Sequence, residues 1–357
     1  MATRPIRRAV LEPKTIARVD RGGMRDIVAS LPEHLAEGQR RALGTPAELK
    51  GAQRIFLAGM GGSGIAADIF AAWVADRSKV PLRVVRDYKL PPSAQKGDVL
   101  VSISYSGDTE ETLAATAHGL KIGCKLIAVT SGGTLRKVAK EAGAEVLEVP
   151  KGLPPRGAFG HLFGVLPGIG EDWVYGDLRG ELERSIVHLK DLRARIAPDV
   201  PFRKNRAKLL AYRIKGRVPV VYGAGPLASV ATRWQTQLNE NAKVLAFSSE
   251  LPEADHNELV GWCEDPTAKR FVPILLREAG ETEEMRIRLD ATAALMSKAT
   301  KVEQVVDEDD QPLGRLLGLL HLGDYVSVYL ATLRGVDPLP VKPIQELKAR
   351  LARPEKS

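Results

Sequence analysis

The sequence predicts an α/β protein with two doubly wound domains, each a parallel sheet flanked by helices. Short apolar runs alternate with amphipathic segments from Gly51 to Val149, which is the pattern of a parallel sheet covered on both faces. Prolines between Pro150 and Pro155 break this alternation. It resumes at Val218, where a second glycine turn mirrors the first, so the chain has the outline of a duplication.

The individual elements follow from the apolar runs and the turn residues between them. In the first repeat we predict strands at 54–58, 82–85, 99–104, 125–129 and 145–148, with helices at 64–76, 110–122 and 135–142. Helices at 181–195 and 203–215 connect the repeats. In the second we predict strands at 218–222, 243–247, 270–275 and 302–306, helices at 227–241 and 314–333, a loop at 248–257 and a solvated acidic loop at 307–310.

These elements divide the chain of 357 residues, a length that suits two domains, into five segments. We expect an N-terminal segment, a first domain that binds phosphate, a connecting loop and helix, a second domain, and a C-terminal segment near the active site. Their bounds are 1–24, 25–155, 156–200, 201–335 and 336–357.

Two loops of the first repeat place small and hydroxylated residues directly after a predicted strand: Gly59-Met60-Gly61-Gly62-Ser63-Gly64 and Ser102-Ile103-Ser104-Tyr105-Ser106-Gly107-Asp108-Thr109. Glycines let backbone N–H groups approach an anion, and the helix that begins after each loop adds a favourable dipole. Either loop alone is more often a tight turn than a ligand site. Neither is followed by a P-loop lysine. Together they favour a phosphorylated small molecule, bound by Gly61, Gly62, Ser63, Ser104, Ser106 and Thr109.

Three further segments are informative: Gly152-Leu153-Pro154-Pro155-Arg156-Gly157-Ala158, Asn239-Glu240-Asn241 and Glu253-Ala254-Asp255-His256-Asn257-Glu258. The two loops resemble the sugar isomerase (SIS) domain, a doubly wound fold that binds phosphosugars. With the three further segments, the chain from about Arg25 to Arg350 is similar to the bifunctional phosphoglucose/phosphomannose isomerases. The resemblance implies two SIS-type domains and a metal-independent interconversion of glucose 6-phosphate and fructose 6-phosphate through an enediol.

The resemblance also implies catalytic roles. Glu240 matches the family's general base, and His256 matches a histidine that opens the sugar ring from the second subunit, which implies a homodimer with shared active sites. Arg156, held by two prolines, is suited to meet charge developing on the C1 and C2 oxygens. Lys348 matches the lysine of the family's closing motif. Leu339 stands where related sequences commonly carry Thr, so acceptance of mannose 6-phosphate stays open.

From the residues alone the assignments are weaker. Glu240 is then typical of a surface glutamate, and Lys348 of a solvent-facing lysine near the end of a helix. His256 lies in a dense polar loop, where an imidazole could either carry a proton near neutral pH or simply bond its neighbours.

Composition narrows the function classes. The net charge is +8, but Lys and Arg are scattered among acids and aromatic residues make up 5%, which favours attraction of phosphate esters over nucleic-acid binding. Cys124 and Cys263 lack a Cys-x-x-Cys partner and are interpreted as buried, reduced thiols of an intracellular protein. The histidines show no metal-ligand clustering, which disfavours a zinc-dependent isomerase, and we expect no cofactor.

We expect a cytoplasmic, soluble protein. The N-terminus carries charges without a following apolar core, unlike a secretory signal, and no apolar run approaches the roughly 20 residues of a membrane span. Two alternatives belong to other function classes. A phosphosugar-sensing regulator is disfavoured because we predict no helix-turn-helix before residue 50 and because Glu240 and His256 are present. An amidotransferase-type enzyme would need an N-terminal cysteine, whereas residue 2 is Ala.

Overall fold

Two parallel sheets organise the chain in this computed structural model, which describes residues 11–42, 44, 46, 49 and 51–351. The first sheet contains β1 (Ile55–Ala58), β2 (Leu82–Val85), β3 (Val99–Ile103), β4 (Lys125–Thr130) and β5 (Glu145–Glu148). The second contains β6 (Val218–Ala224), β7 (Phe247–Leu251), β8 (Phe271–Glu278) and β9 (Glu303–Asp307). The predicted pair of parallel α/β sheets is therefore confirmed.

Helices surround and join the sheets. Those of the first part are α1 (Pro13–Val19), α2 (Met24–Ala29), α3 (Leu31–Arg41), α4 (Gly61–Val74), α5 (Glu110–Ile122) and α6 (Gly133–Glu141). The middle holds α7 (Phe159–Gly164), α8 (Leu166–Gly170), α9 (Leu178–Ile196) and α10 (Arg206–Ile214). The last part holds α11 (Leu227–Ala242), α12 (Glu258–Glu264), α13 (Glu283–Met296), α14 (Pro312–Arg334) and α15 (Lys342–Leu351).

Alternate residues of the central strands face two different cores. In β1, Ile55 and Leu57 join one hydrophobic cluster, while Phe56 and Ala58 join another on the opposite face. Burial on both faces is why these strands are continuously apolar instead of alternating with polar residues.

Each sheet has a point where its strand order reverses. The first sheet runs β2-β1-β3-β4-β5 and the second runs β7-β6-β8-β9, with every neighbouring pair parallel. The chain leaves β1 and β3 in opposite directions, and it does the same at β6 and β8. Loops at such a switch point splay apart and leave a crevice at the carboxyl ends of the strands.

Helix α14 forms the centre of the molecule. It packs on α9, α10 and α11, and apart from Arg315 its residues are buried from Leu313 to Leu333. The expectation that no apolar run reaches bilayer length is wrong, because this helix of 23 residues is long and apolar enough to cross a membrane. Its most apolar window is entirely buried inside the protein, as the core helix of a folded domain would be.

Several element predictions fail for local reasons. Residues 243–246 precede β7 instead of belonging to it, because Lys243 leaves the helix with φ +54° and Asn239 brackets the backbone of Ala246 with two hydrogen bonds of 3.0 and 3.2 Å. The predicted loop at 248–257 consequently begins as strand β7 and continues as a 3₁₀ turn, Glu253–His256. The glycine-rich helices α7 and α8 were not predicted.

The described part of the chain before residue 50, for which no helix or strand was predicted, is largely helical. Helices α1, α2 and α3 pack into the main core through Ile16, Met24 and Leu35. The expectation that the N-terminus lacks a secretory signal falls on residues outside the described ranges, as do the first ten and last six residues of the terminal segments. The division of the chain into five segments stays a prediction.

Two side-chain predictions are corrected. Cys124 is buried as expected, but Cys263 is exposed on α12. The acidic run that begins at Asp307 is not simply solvated: Asp307 is 2% exposed, and His188 lies 3.2 Å from it and 2.9 Å from Asp309. His188 and the surrounding cations offset the cost of burying the Asp307 carboxylate.

Candidate active site

A cavity of about 800 Å³ opens at the switch point of the first sheet. The loops after β1 and β3 form one wall, a 3₁₀ turn at Pro155–Gly157 forms the second, and the end of α11 with the C-terminal segment forms the third. Of the sequence-predicted site residues, the cavity is lined by Gly61, Gly62, Ser63, Ser106, Thr109, Arg156, Glu240 and Lys348. Ser104 and His256 do not line it.

The loop after β1 presents the bare start of α4. Gly61 has φ +52°, and no side chain caps the first turn of the helix. A side chain at Gly62 would lie 2.8 Å from the carbonyl oxygen of Pro155, so glycine permits the 3₁₀ turn to approach. The hydroxyl of Ser63 accepts a hydrogen bond from the backbone N–H of Tyr105 at 3.1 Å, which ties this loop to the next. Uncapped N–H groups and a favourable dipole make this end suited to an anion.

The loop after β3 holds its shape through its own hydroxyls. The hydroxyl of Ser104 is buried, donates to Thr109 Oγ1 at 3.0 Å and accepts from the N–H of Gly107 at 3.1 Å. Ser104 therefore shapes the loop rather than facing the cavity. Ser106 is exposed, and its hydroxyl accepts from the N–H of Asp108 at 3.2 Å. Thr109 begins α5 without capping it, so the O–H groups of both residues are available to donate at the cavity wall.

Tyr105 is a site residue that the sequence analysis did not single out. Its hydroxyl donates to the carbonyl of Pro150 at 2.9 Å and accepts from the N–H of Leu153 at 3.0 Å. Burial raises the pKa of this phenol against the opposing hydrogen bond from Leu153. The position of an aromatic residue between two serines was the available signal. Tyr105 anchors the segment that leads into Arg156.

The guanidinium of Arg156 is 3% exposed and bonded along most of its edge. Its Nε donates to Asn241 Oδ1 at 2.7 Å, and its Nη2 donates to the carbonyl oxygens of Pro338 and Leu339, each at 2.8 Å. Its Nη1 lies 3.4 Å from the carboxylate of Glu240. Burial lowers the pKa of Arg156 while Glu240 raises it. Two of the predicted catalytic residues therefore form an ion pair.

Glu240 lies near the end of α11, with 29% of its side chain exposed toward the cavity. Behind it, Arg233 forms a bidentate ion pair with Asp324 at 3.1 and 2.8 Å and donates to the backbone carbonyl of Arg156 at 2.8 Å. Gln237 also donates to Asp324 at 2.8 Å. Periodicity could not reveal this buried network, because its members lie on two core helices that meet only in the fold. It fixes α11 and the turn that carries Arg156 relative to each other.

The C-terminal segment closes the third wall. Leu339, Pro340 and Val341 line the cavity, followed by Ile344, Gln345 and Lys348 from α15. A side chain at Gly22 would overlap Leu339, so Leu339 is packed against the N-terminal region and also lines the cavity.

His256 lies elsewhere in the same chain. It is exposed in the 3₁₀ turn that follows β7, whereas Asn239, next to Glu240, contacts the residue just before β7. Glu240 and His256 thus lie at opposite ends of this strand, which rises by about 13 Å. Within the described residues, no group of three or more His, Cys, Asp or Glu is arranged to hold a metal ion.

Both halves of the chain match known families. Residues 48–146 match the SIS domain, and residues 203–351 match the bacterial phospho-glucose isomerase C-terminal SIS domain. The bifunctional phosphoglucose/phosphomannose isomerase of Caldicellulosiruptor bescii is 34% identical over 92% of this chain and 99% of its own length. That of Aquifex aeolicus is 38% identical over 84% and 90%. A D-glucosamine-6-phosphate 4-epimerase of Sulfolobus acidocaldarius is 30% identical over 85% and 90%.

Solved structures share the fold. A hypothetical protein from Thermus thermophilus superimposes with a TM-score of 0.74 over 96% of this chain and 94% of that one, at 17% identity. A glucose-6-phosphate isomerase like protein from the same organism gives 0.64 over 95% and 98%, at 21% identity. At these identities the likeness concerns the architecture alone.

Proposed function

Because the chain belongs to the bifunctional phosphoglucose/phosphomannose isomerase family, we propose that it interconverts glucose 6-phosphate and fructose 6-phosphate. The observation that carries this proposal is one cavity that joins an uncapped helix start and hydroxyl donors to the carboxylate of Glu240. An isomerase of hexose phosphates needs two groups in one cavity: an anchor for the phosphate, and a base beside the carbon atoms that exchange the proton. The names of its relatives extend the proposal to mannose 6-phosphate, with Leu339 in the wall as the residue that sets its acceptance.

In the proposed reaction the phosphate binds at the start of α4, between Ser63, Ser106 and Thr109. Glu240 removes the proton from C2 of the open-chain aldose. The C–H electron pair forms the C1–C2 double bond, and the carbonyl pair moves onto O1, giving an enediolate. The O2 hydroxyl proton then passes to O1, the electrons left on O2 form the C2 ketone, and the electrons of the C1–C2 double bond take the proton back from Glu240 at C1, so aldose and ketose have the same atoms and charge.

Arg156 orients Glu240, since its Nη1 lies 3.4 Å from the carboxylate. The guanidinium and Lys348 provide the positive charge that stabilises the enediolate oxygens.

Ring opening comes before isomerisation, and we propose that His256 of a second copy performs it. The separation of His256 from Glu240 along β7 supports this arrangement, because one chain does not bring both to the same cavity. A homodimer in which each cavity receives the neighbour's imidazole satisfies both roles. We also propose that the protein is cytoplasmic.

Glu240→Gln tests the function directly. The amide keeps the shape but cannot take the proton, so we expect KM for fructose 6-phosphate within a few-fold of wild type and a loss of about 10²–10⁴ in kcat. A coupled assay with glucose, mannose and glucosamine 6-phosphates would also identify the preferred sugar. Retained turnover in this variant would remove Glu240 from the mechanism, and binding without turnover in wild type would favour a phosphosugar-sensing role.

Subunit mixing tests the shared site. Glu240→Gln and His256→Ala chains are each expected to be inactive, and a mixed dimer then contains one cavity with both intact residues. We expect activity to reappear after subunit exchange, measured against each parent alone. Confirmed heterodimers without recovered activity would mean that His256 acts within its own chain or has no role.

A further inference from the structure

Lys243 ends α11 in a backbone conformation that lysine rarely adopts. Its φ is +54°, and among the described residues no other non-glycine residue has a positive φ. Directly after a helix this left-handed conformation favours glycine, because a Cβ is strained there. A lysine at such a position indicates that the side chain is used.

The side chain of Lys243 reaches the C-terminal segment. Its Nζ donates to the carbonyl oxygen of Glu240 and, at 2.9 Å, to that of Pro338. Arg156 Nη2 donates to the same Pro338 oxygen at 2.8 Å and to that of Leu339 at 2.8 Å. Two cations therefore converge on one short stretch of backbone. Hydrogen bonds from charged donors are the stronger kind, so this stretch is firmly held.

The chain beyond that stretch forms a wall of the cavity. Through Pro340 and Val341 it enters α15, whose Gln345 and Lys348 line the cavity. Helix α15 buries no residue of its own. Without an apolar face in the core, its position depends on the segment that precedes it.

We propose that Lys243 is a positioning residue: with Arg156 it clamps the carbonyl of Pro338 and so holds α15 against the substrate cavity. The consequence for turnover rests on the proposed isomerase function, whereas the clamp does not. Burial and the neighbouring Arg156 cation lower the pKa of Lys243 to about 8, opposed by Glu240 and Asp337. An ammonium is thus held where burial and a like charge both oppose it.

Spin labels can measure the clamp without turnover. Cys263 is exposed and takes one label, while Cys124 is buried with its pKa raised to about 11 by burial and then by Asp98, which makes it unreactive. Leu347→Cys adds a second label on α15, at an exposed position outside the cavity. Labelled chains are diluted into an excess of unlabelled protein so that only distances within one chain are seen.

We expect a narrow distance distribution in the wild-type background and a broad one in Lys243→Gly. Lys243→Arg, which keeps a cation, and Lys215→Gly, at the exposed end of α10, should stay narrow. Glycine relieves the strained φ, so the thermal midpoint should not fall. An unchanged distribution in Lys243→Gly, or a lowered thermal midpoint, would overturn the proposal.

Substrate affinity provides the second measurement. Lys243→Gly should raise KM for fructose 6-phosphate about tenfold, while Lys243→Arg and Lys215→Gly stay within twofold. A KM that does not move in Lys243→Gly contradicts the positioning role. A wild type that binds this sugar by calorimetry but does not isomerise it would contradict the proposed function and leave the distance test standing.

Discussion

The two switch points of the molecule share the same turn and differ in the groups around it. Gly61 follows β1 and Gly225 follows β6, each with φ +52°, and at neither position would a Cβ meet another atom within 4 Å. Neither helix start has a side-chain cap: Met60 is the N-cap residue of α4, and Pro226 is that of α11. The two turns therefore share their backbone conformation at the glycine, but Pro226 removes one N–H donor from the second.

The side chains around the two switch points determine which of them can accept an anion. At the first switch point the neighbouring loop supplies Ser106 and Thr109 to a cavity. At the second, ion pairs surround the end of β8 and the loop that follows it: Arg277 lies 2.6 Å from Glu281, and Arg315 lies 2.6 Å from Glu278. These carboxylates repel an anion and already occupy the cations that could attract one. Topology thus determines where a phosphate could bind, and the loop residues determine whether it does.

The largest expected effect comes from removing hydroxyls at the open switch point. In Ser63→Ala/Ser106→Ala, each lost hydrogen bond to a charged phosphate is worth about 1.5–3 kcal/mol. We expect KM for fructose 6-phosphate to rise by about 100-fold or more. Steady-state kinetics over a wide range of sugar concentration measure it.

Ser229→Ala is the matched control at the closed switch point. Its hydroxyl donates to the carbonyl of Pro226 at 2.8 Å in the first turn of α11. KM should stay within twofold of wild type. A large rise of KM in Ser229→Ala, or no rise in Ser63→Ala/Ser106→Ala, would contradict the proposal that only the first switch point binds phosphate.

Sequence patterns predicted part of the fold and part of the difference between the two switch points. Strands β2 and β5 and helix α5 have the predicted bounds, and for α5 the flanking Thr109 and Gly123 marked both ends. The loss of a serine and the gain of Pro226 also marked the second turn as the poorer phosphate site. The ion pairs that fill it lie on different elements, so only the fold could reveal them.

For the same reason the sequence could not indicate that Arg156 donates two of its four side-chain hydrogen bonds to the C-terminal backbone. It also could not show the distance between Glu240 and His256. Motifs give residue types in order along the chain, whereas burial and separation depend on how α11 and β7 run past each other.

The second prediction contrasts histidines beside the two sheets. His161, under α3 and α4, is 2% exposed and stacks on His34 at 4.3 Å. Burial, and then the His34 ring, lower its pKa to about 4 despite Glu37. At the edge of the second sheet, burial lowers the pKa of His188, but the hydrogen bond and charge of Asp307 outweigh it and the pKa is raised.

The two shifts act on stability with opposite signs. His161 binds its proton more readily when unfolded, so stability is lost as pH falls from about 6.5 toward 4, by about 2 kcal/mol between pH 7 and 5. His188 contributes stability that is present at low pH and is lost as pH rises through its raised pKa. Urea unfolding at pH 7 and 5 should show a smaller acid loss in His161→Phe and a larger one in His188→Gln. Parallel changes in both variants would refute this assignment.

We expect the smallest effect from substituting alanine for the two equivalent glycines, which are the most closely matched positions of the two switch points. Gly61→Ala and Gly225→Ala each force a Cβ into the left-handed region, at a cost of about 1 kcal/mol in the free energy of unfolding. No clash adds to either, so their thermal midpoints should fall equally. Only Gly61 lines the cavity, where a methyl group obstructs the approach of the phosphate, so KM should rise about three- to tenfold there and stay unchanged for Gly225→Ala. Equal rises in KM would mean that the second turn also meets substrate. Unequal losses of stability would mean that the two turns are not the same structure.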